Sequence, residues 1–356
     1  MSGVSLQKVR KTYGSVVALE ELDLEIEEGE FLTLLGPSGC GKTTTLRLIA
    51  GFIEPTGGNI LLGDDDVTGL PPQHRKIGMV FQDYALFPHL TIRDNIGFGL
   101  KERGSGKAEI DARVDELLEL IQLPDVRERY PSELSGGQAQ RIAVARAVAY
   151  PPRVLLMDEP LGALDLKLRE SMQIELRRIQ RELKITTVFV THDQTEAMNM
   201  SDRIVVMNNG LIEQVGTAEE IYDRPRTRFA ADFVGQINLI EGEVIGTEGD
   251  YTTLQVLEGT AIRARSLNGD ARGSFAVAIR PEQLRLVMDD AEAAGANQLE
   301  GRLLGSIFSG NLLKVFIDIG MEKPLVLEDR PRNLDLQEGA SVRVAWSPSD
   351  GILLKN

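Results

Sequence analysis

Apolar and polar positions along the first part of the chain follow two periods in turn. Short, almost purely apolar runs are typical of strands buried in a sheet, and apolar positions every three or four residues are typical of amphipathic helices. The strand-type runs are Phe31–Leu35, Ile77–Phe81, Val154–Met157 and Ile185–Val190, and the helix patterns are Thr44–Ala50 and the face of Leu168, Met172, Leu176, Ile179 and Leu183. This alternation predicts an α/β domain at residues 1–235, with a mainly helical part at about 88–150.

From about residue 236 the pattern changes to short alternating segments separated by Gly and Asp turns. The segments are Gly242–Ile245, Thr252–Val256, Phe275–Ile279, Leu312–Ile319 and Val342–Trp346. Such alternation is typical of half-buried strands, so we expect a small, barrel-like all-β domain at 236–356. Two stretches within it, Ile240–Gly246 and Leu299–Gly305, form a weak internal repeat.

The run Phe31–Leu35 leads into a glycine-rich loop that fits G-x-x-x-x-G-K-[ST] and opens a helix. The loop consists of Gly36, Pro37, Ser38, Gly39, Cys40, Gly41, Lys42, Thr43 and Thr44. Its glycines let successive N–H groups converge, and the helix start adds unpaired donors, so the sequence predicts an anion site in a P-loop NTPase. Lys42 would serve the β- and γ-phosphates, and Thr43 would be a ligand of Mg²⁺. The alternative is a glycine-rich turn with a lysine by chance.

Cys40 is the single cysteine of the chain and lies inside this loop. A thiol at a helix start beside Lys42 is expected to have a lowered pKa and to react readily with alkylating agents. The alternative is a small loop-filling residue that is buried from reagents. One cysteine also excludes an intramolecular disulfide and is compatible with a reducing compartment.

A second anion site is indicated before the small-residue helix Arg141–Val148. Ser135 is a natural N-cap, and Gly136 and Gly137 leave backbone amides uncovered at the helix start, with Gln138 next to them. As a capped helix alone this segment is ordinary. Together with a P-loop in the same chain it points to phosphate chemistry.

Two adjacent carboxylates, Asp158 and Glu159, end the apolar run Val154–Met157. Alternation along a strand makes neighbouring side chains face opposite ways, so we expect the two to hold different roles. Asp158 suits a ligand of Mg²⁺, and Glu159 suits the general base that activates the attacking water.

Three single residues are further candidates. His192 follows the run Ile185–Val190, at the edge where ligands of parallel sheets collect, and is interpreted as a phosphate sensor. Gln82 follows Ile77–Phe81 and is either an ordinary polar loop residue or one that reaches the metal or the water beside the γ-phosphate. Tyr13 either stacks on an adenine ring or packs at a sheet rim.

Composition narrows the class of protein. The chain has 356 residues, 42% of them hydrophobic and 26% charged, which is ordinary globular material of two or three domains. No apolar run approaches the roughly 20 residues of a membrane span, and residues 1–10 lack the apolar core of a signal peptide. The net charge of −15 argues against nucleic acid or an anionic bilayer as a direct partner, so any link to a membrane would run through another protein.

The motifs stand in the order found in ATP-binding cassette (ABC) ATPases, which residues 1 to about 235 resemble. The matching motifs are the P-loop, Gln82, LSGGQ at 134–138, LLMDE at 155–159, Asp165 and His192. The resemblance implies that the domain binds ATP with Mg²⁺. It also makes Tyr13 the adenine-stacking aromatic, Gln82 the Q-loop glutamine, Asp165 the D-loop aspartate and His192 the switch histidine.

The C-terminal part, with Ile279–Leu284, resembles the OB/TOBE-like accessory barrel of importers for polyamines, ferric iron, maltose and related solutes. In that family the barrel has a dimerising or regulatory role. Residues 16–100 and 186–240 look closest to ATPases that import polyamines such as spermidine and putrescine. Importers of another solute, such as ferric iron, aminoethylphosphonate or a sugar, stay open, because solute choice lies in other subunits.

The resemblance further implies a pair of chains docked head to tail, with each ATP between one P-loop and the other chain's Ser135–Gln138. It implies two integral membrane permease subunits, contacted near Gln82–Leu90, an indirect solute-binding protein, and a peripheral location on the cytoplasmic face of the inner membrane. Two rivals fit less well. A P-loop kinase would need a lid and an acceptor pocket, and a soluble cassette ATPase of repair or translation would usually carry two cassettes, a coiled coil or basic surfaces.

Overall fold

The computed structural model describes residues 2–162, 164–266, 272–287, 295–330 and 337–355. Internal contacts divide the chain into two compact units, Met1–Glu219 and Glu220–Asn356. The first unit is α/β and the second is mainly β, so the predicted fold class is confirmed. The finer boundary after residue 235 stays a prediction.

A six-stranded sheet forms the centre of the first unit. In spatial order its strands are Leu211–Gly216, Arg203–Asn208, Phe31–Leu35, Thr186–Thr191, Val154–Asp158 and Ile77–Val80. The last five run parallel, and Leu211–Gly216 pairs antiparallel at one edge. Successive side chains enter two different hydrophobic clusters, Val154 and Leu156 in one and Leu155 and Met157 in the other, because a strand presents alternate residues to opposite faces.

A smaller antiparallel sheet completes the first unit. Its strands, in spatial order, are Val16–Ile26, Val4–Tyr13, Gly57–Leu62 and Asp65–Asp66. The first two strands are long and pair with several register shifts. Their alternating apolar residues, such as Leu6 and Leu24, join the cluster that also contains the helix of the P-loop.

The helices of the first unit begin where the sequence offers caps. They are Lys42–Ala50, Ile92–Glu102, Lys107–Leu120, Gly136–Val148, Leu166–Leu183 and Gln194–Met200, with 3-10 turns at Pro72–His74, Pro124–Val126 and Pro131–Glu133. The side chains of Thr91, Ser135, Asp165 and Asp193 accept hydrogen bonds from the first turns of four of them.

The second unit contains a closed barrel and a second sheet. The short helices Ala218–Asp223 and Arg228–Phe233 lie at and after the division between units. The barrel strands are Asn238–Glu248, Tyr251–Leu257, Thr260–Arg265, Ile352–Lys355 and Ser274–Ile279, in spatial order. After the 3-10 turn Pro281–Gln283 comes the sheet, with the strand order Arg285–Leu286, Ser341–Trp346, Asn297–Phe308, Leu313–Asp318 and Leu325–Asp329.

The weak sequence repeat corresponds to a repeat of topology. In the first half, Asn238–Glu248 pairs with the next strand and with Ser274–Ile279. In the second half, Asn297–Phe308 likewise pairs with the next strand and with Ser341–Trp346. Both long strands carry a register shift at the same repeat position, just before Gly246 and just before Gly305. The second unit is therefore built from two similar halves.

An asparagine opens the long strand of each half and pairs with the other half. The side-chain nitrogen Nδ2 of Asn238 donates to Val326 O at 2.8 Å, and its side-chain oxygen Oδ1 accepts from Val326 N at 2.7 Å. Asn297 does the same with Arg263, at 2.7 Å and 2.8 Å. Because Val326 lies in the second half and Arg263 in the first, the two amides cross-link the halves reciprocally.

Candidate functional site

The P-loop joins the strand end at Leu35 to the helix start at Lys42, and its backbone requires glycine at two points. A Cβ on Gly36 would lie 2.3 Å from Met207 O and 2.6 Å from Cys40 Sγ. Gly41 has a φ of 108°, a left-handed conformation that side chains rarely adopt. The loop therefore folds as the motif predicts, with the helix N-terminus at its end.

Lys42 is almost wholly buried within the loop. Its Nζ donates to Gly36 O at 2.6 Å and to Pro37 O at 2.9 Å. The amine is thus held at the concave side by carbonyls of the same loop, with no carboxylate among these bonds. An ammonium in such a place has its charge available for an anion.

Thr43 and Asp158 meet at the start of this helix. Thr43 Oγ1 donates to Asp158 Oδ1 at 3.2 Å. Burial raises the pKa of the Asp158 carboxyl, and the Thr43 hydrogen bond partly offsets that rise. A hydroxyl and a carboxylate at this distance are oxygen ligands of the kind that Mg²⁺ takes, so both residues fit the predicted metal site.

The prediction of a reactive Cys40 thiol with a lowered pKa is wrong. Cys40 is only 3% exposed, and burial raises its pKa, outweighing the nearby charge of Lys42. The sequence shows the neighbouring lysine but not the packing around the thiol. The alternative interpretation, a buried loop-filling residue, fits the structure.

Glu159 and His192 form the second pair of the site. His192 Nδ1 lies 3.2 Å from Glu159 Oε2, and the histidine is 60% exposed on its side chain. Asp158 and Glu159 do diverge, but the predicted reason, alternation along one strand, is wrong. The strand ends at Asp158, and Glu159 has a φ of 44°, which turns its side chain toward the histidine.

A hydrogen-bond network that the sequence analysis missed holds Thr191 and Asp193, the two chain neighbours of the histidine. Thr191 Oγ1 donates to Glu196 Oε2 at 2.6 Å and accepts from Asp193 N at 3.0 Å. Arg169 donates to Asp193 Oδ2 at 3.2 Å and to the backbone carbonyl of Leu164 at 3.0 Å. Asp193 caps Gln194–Met200, so a T-x-D-x-x-E pattern could have indicated this arrangement.

Gln82 is exposed and stands close to the Glu159 turn. A Cβ on Gly162 would lie 3.5 Å from Glu159 O and 3.9 Å from Gln82 Nε2. The side-chain amide of Gln82 and the backbone carbonyl of Glu159 therefore lie beside the same glycine, Gly162. The structure brings Gln82 to the site as a candidate for water or metal contact.

Ser135 to Gln138 form a reciprocal cap at the start of Gly136–Val148. Gln138 N donates to Ser135 Oγ at 3.3 Å, and Ser135 N donates to Gln138 Oε1 at 2.9 Å. Cβ atoms on Gly136 and Gly137 would touch Leu164 and Leu168, at 3.3 Å and 2.9 Å. These two leucines flank Asp165, whose carboxylate accepts from Leu168 N, so the signature residues and Asp165 share one surface.

Tyr13 ends the strand Val4–Tyr13 and is 51% exposed. The Lys11 amine lies 5.0 Å from the centroid of its ring. The ring is a half-exposed aromatic, as the adenine-stacking interpretation requires. The interpretation itself stays a prediction.

The fold and the site together define a P-loop ATPase of the cassette type, and comparisons with known proteins agree. The family model described as "ABC transporter" matches residues 19–162, and "TOBE domain" matches residues 277–354. The chain belongs to the ABC transporter ATPases with a C-terminal TOBE domain, and it binds and hydrolyses ATP.

Curated relatives match nearly the full length. The spermidine/putrescine import ATP-binding protein PotA of Marinobacter nauticus is 47% identical over 350 residues, covering 96% of this chain and 92% of the relative. The protein of the same name from Rubrobacter xylanophilus is 45% identical over 356 residues, covering 99% and 93%. A solved dimeric, post-hydrolysis ATP-binding cassette, MJ0796 bound to ADP and Pi, is 36% identical with a TM-score of 0.54, covering 60% of this chain and 98% of that one.

None of the helices within the described residues is both long and apolar enough to cross a membrane.

Proposed function

We propose that this chain is the ATPase of an importer for polyamines such as spermidine or putrescine. Support comes from the relatives that carry this name, because their similarity extends through both units and not only the ATPase. Importers of ferric iron, aminoethylphosphonate or a sugar are the alternatives that an experiment must separate.

The proposed catalytic roles follow from two contacts of the site, Thr43 with Asp158 and Glu159 with His192. Lys42 and the amides of Gly36–Thr44 hold the phosphates, with the Tyr13 ring against the base. Mg²⁺ would be held by Thr43, Asp158 and Gln82, and when bound it neutralises charge on the phosphate oxygens.

Glu159 takes the proton of the attacking water, and His192, 3.2 Å away, orients that carboxylate. The separation of the two carboxylates carries this assignment. Asp158 faces the Thr43 hydroxyl, whereas Glu159 faces the histidine, so one acid serves the metal and the other the water.

The complete site is proposed to need two copies of the chain, docked head to tail. Ser135 is exposed, and Gly136 and Gly137 lie beside the turn that carries Asp165. A γ-phosphate bound at one P-loop would meet Ser135–Gln138 of the second copy, where the Gly136 and Gly137 amides are outside the cap. A solved cassette with 36% identity is dimeric, which supports this arrangement.

The membrane partners are proposed to be two integral permease subunits, reached through a groove beside the Gln82 loop (residues 82–90). The groove encloses about 510 Å³, and its lining combines the apolar residues Leu90, Phe98 and Ile110 with charged residues of both signs, Arg93, Asp94, Lys101, Glu102 and Lys107. A short permease helix with an apolar face and charged residues beside it would fit such a lining. This docking would keep the chain peripheral, on the cytoplasmic face of the inner membrane, with a solute-binding protein contacted only through the permease.

Reconstitution tests this function directly. The chain, co-expressed with candidate permease subunits, is purified with them and placed in liposomes with the solute-binding protein. ATP hydrolysis should rise when spermidine or putrescine is supplied, and Lys42→Ala should abolish that rise. Stimulation by ferric iron or maltose in place of polyamines would refute the assignment of polyamines as the solute. If the chain never co-purifies with integral membrane proteins, the proposal that it is the ATPase of an importer is refuted.

A further inference from the structure

The Gln82 loop contains two consecutive residues in a strained backbone conformation. Tyr84 has a φ of 62° and Ala85 a φ of 47°. Side-chain-bearing residues rarely adopt the left-handed region, and two in succession persist only where surrounding contacts hold them. Neither residue is a glycine, so the cause has to lie in those contacts.

Arg146, on the helix Gly136–Val148, supplies the contact. Its Nη1 donates to Ala85 O at 2.6 Å and its Nη2 donates to Tyr84 O at 2.9 Å. The guanidinium also lies 5.5 Å from the centroid of the Phe87 ring. A planar fork with two donors can bind two consecutive carbonyls that point the same way, which a single lysine amine does less well.

Two further contacts fix the surroundings of this loop. The buried side chain of Asn95 accepts from Phe87 N at 2.8 Å and donates to Phe87 O at 3.1 Å, which anchors the far end. At the near end, a Cβ on Gly78 would lie 2.5 Å from Ala147 O. The strand that leads into Gln82 therefore packs directly on the helix that carries Arg146.

We propose that Arg146 is a positioning residue for ATP hydrolysis, which holds Tyr84–Ala85 in its strained conformation and thereby places Gln82 beside Glu159. The inference rests on the proposed role of Gln82. It adds that the helix presenting Ser135 to the second copy is the same rigid body that sets the position of Gln82 in its own copy. The two composite sites of a dimer would thus be linked by Arg146 in each of the two chains.

The first test is Arg146→Lys in the full chain. We expect kcat to fall by about 10- to 100-fold, the scale for a small misplacement near the reacting atoms, while KM for ATP changes by about twofold or less. Amides of residues 82–90 should exchange hydrogen faster, and the melting temperature should change little. Arg141→Lys is the matched control, because Arg141 lies on the same helix but donates to Ile121 O. An equal loss of kcat in this control would overturn the proposal.

The strain itself gives a second test, because glycine has no Cβ and adopts a positive φ without the steric strain of other residues. Adding Ala85→Gly to Arg146→Lys should restore most of kcat, whereas a merely structural role for Arg146 predicts a further loss. Ala85→Val alone should reproduce the loss of kcat, since a β-branched residue is strained at this φ and the Ala85 side chain is exposed. Normal turnover in either Arg146→Lys or Ala85→Val would overturn the inference.

Gln82→Ala separates this inference from the function on which it rests. Impaired turnover in Gln82→Ala, together with normal turnover in Arg146→Lys, would refute the positioning role alone. Normal turnover in Gln82→Ala would refute both the role of Gln82 and the inference built on it.

Discussion

His192 and Glu159 lie on different elements, yet Nδ1 of the histidine stands 3.2 Å from Oε2 of the glutamate. Glu159 N also donates to Val190 O at 3.0 Å, so the strand Thr186–Thr191 holds the glutamate by its backbone. His192 follows directly from that strand. Carboxylate and imidazole are therefore set by one strand end, which favours a single, fixed geometry for a general base.

Glu159→Gln should retain ATP binding but slow turnover by about 100-fold or more, the scale for loss of a general base. The amide is nearly isosteric, so the loss would be of proton transfer and not of packing. Because the bound ATP then persists, the variant should form an ATP-dependent dimer in light scattering. Lys42→Ala is the control that should neither bind nor dimerise. A Glu159→Gln protein with normal turnover, or one that stays monomeric with ATP, would contradict the assignment.

The shared site predicts a cross-link between chains. With Cys40 replaced by Ala, cysteines at Ser38 and Ser135 should form a disulfide between two copies when ATP is bound, since both positions are exposed. Reducing and non-reducing gels read the result. Each single-cysteine variant serves as a control. Bonds that form only within one chain, or equally without nucleotide, would refute the head-to-tail arrangement.

Cys40 should be slow to alkylate, the reverse of the expectation from sequence. Burial raises the pKa of its thiol, so near pH 8 it holds less thiolate than a free cysteine does, and labelling should increase only at higher pH. We expect iodoacetamide to react at least about tenfold more slowly than with free cysteine under the same conditions. In concentrated guanidinium chloride the difference should vanish. Rapid labelling that Mg-ATP suppresses would restore the interpretation of a lowered pKa.

Asn238→Ala and Asn297→Ala should each lower the free energy of unfolding of the second unit by about 1–3 kcal/mol, because each leaves a backbone N–H and C=O without its partner. Urea unfolding of the full chain, followed by the fluorescence of Trp346, gives the measurement. Asn311→Ala, in an exposed turn, is the matched control and should leave the midpoint unchanged. If all three variants unfold at the urea midpoint of the unsubstituted chain, the side-chain amides of Asn238 and Asn297 contribute nothing to the stability of the second unit.

The local backbone structure of the candidate site was predictable from the sequence, whereas the surroundings of its side chains depend on non-local packing. The P-loop and the cap at Ser135 were predictable because glycine, an N-cap and a helix start act within a few residues. Burial raises the pKa of Cys40, and that burial comes from a hydrophobic cluster with distant segments such as Met207, which no spacing in the sequence shows. The turn at Glu159 and the contact of Arg146 with the Gln82 loop are non-local in the same way.

The second unit shows the same limit. Alternation predicted a barrel-like domain and five of its strands, including Tyr251–Leu257 and Ser341–Trp346, but not which strands close the barrel. Closure depends on Ile352–Lys355, a short apolar run that pairs antiparallel with Ser274–Ile279 and parallel with Thr260–Arg265. A run of four residues carries too little periodicity to predict such pairing.

That closing strand also sets an order of events during synthesis. All five strands of the second sheet lie in the sequence between Ser274–Ile279 and Ile352–Lys355. As the chain emerges from the ribosome N-terminus first, Thr260–Arg265 and Ser274–Ile279 must wait with open edges until this whole intervening segment has appeared. Open strand edges attract other chains, so a nascent polypeptide stalled before residue 352 would expose an aggregation-prone surface that the finished barrel hides.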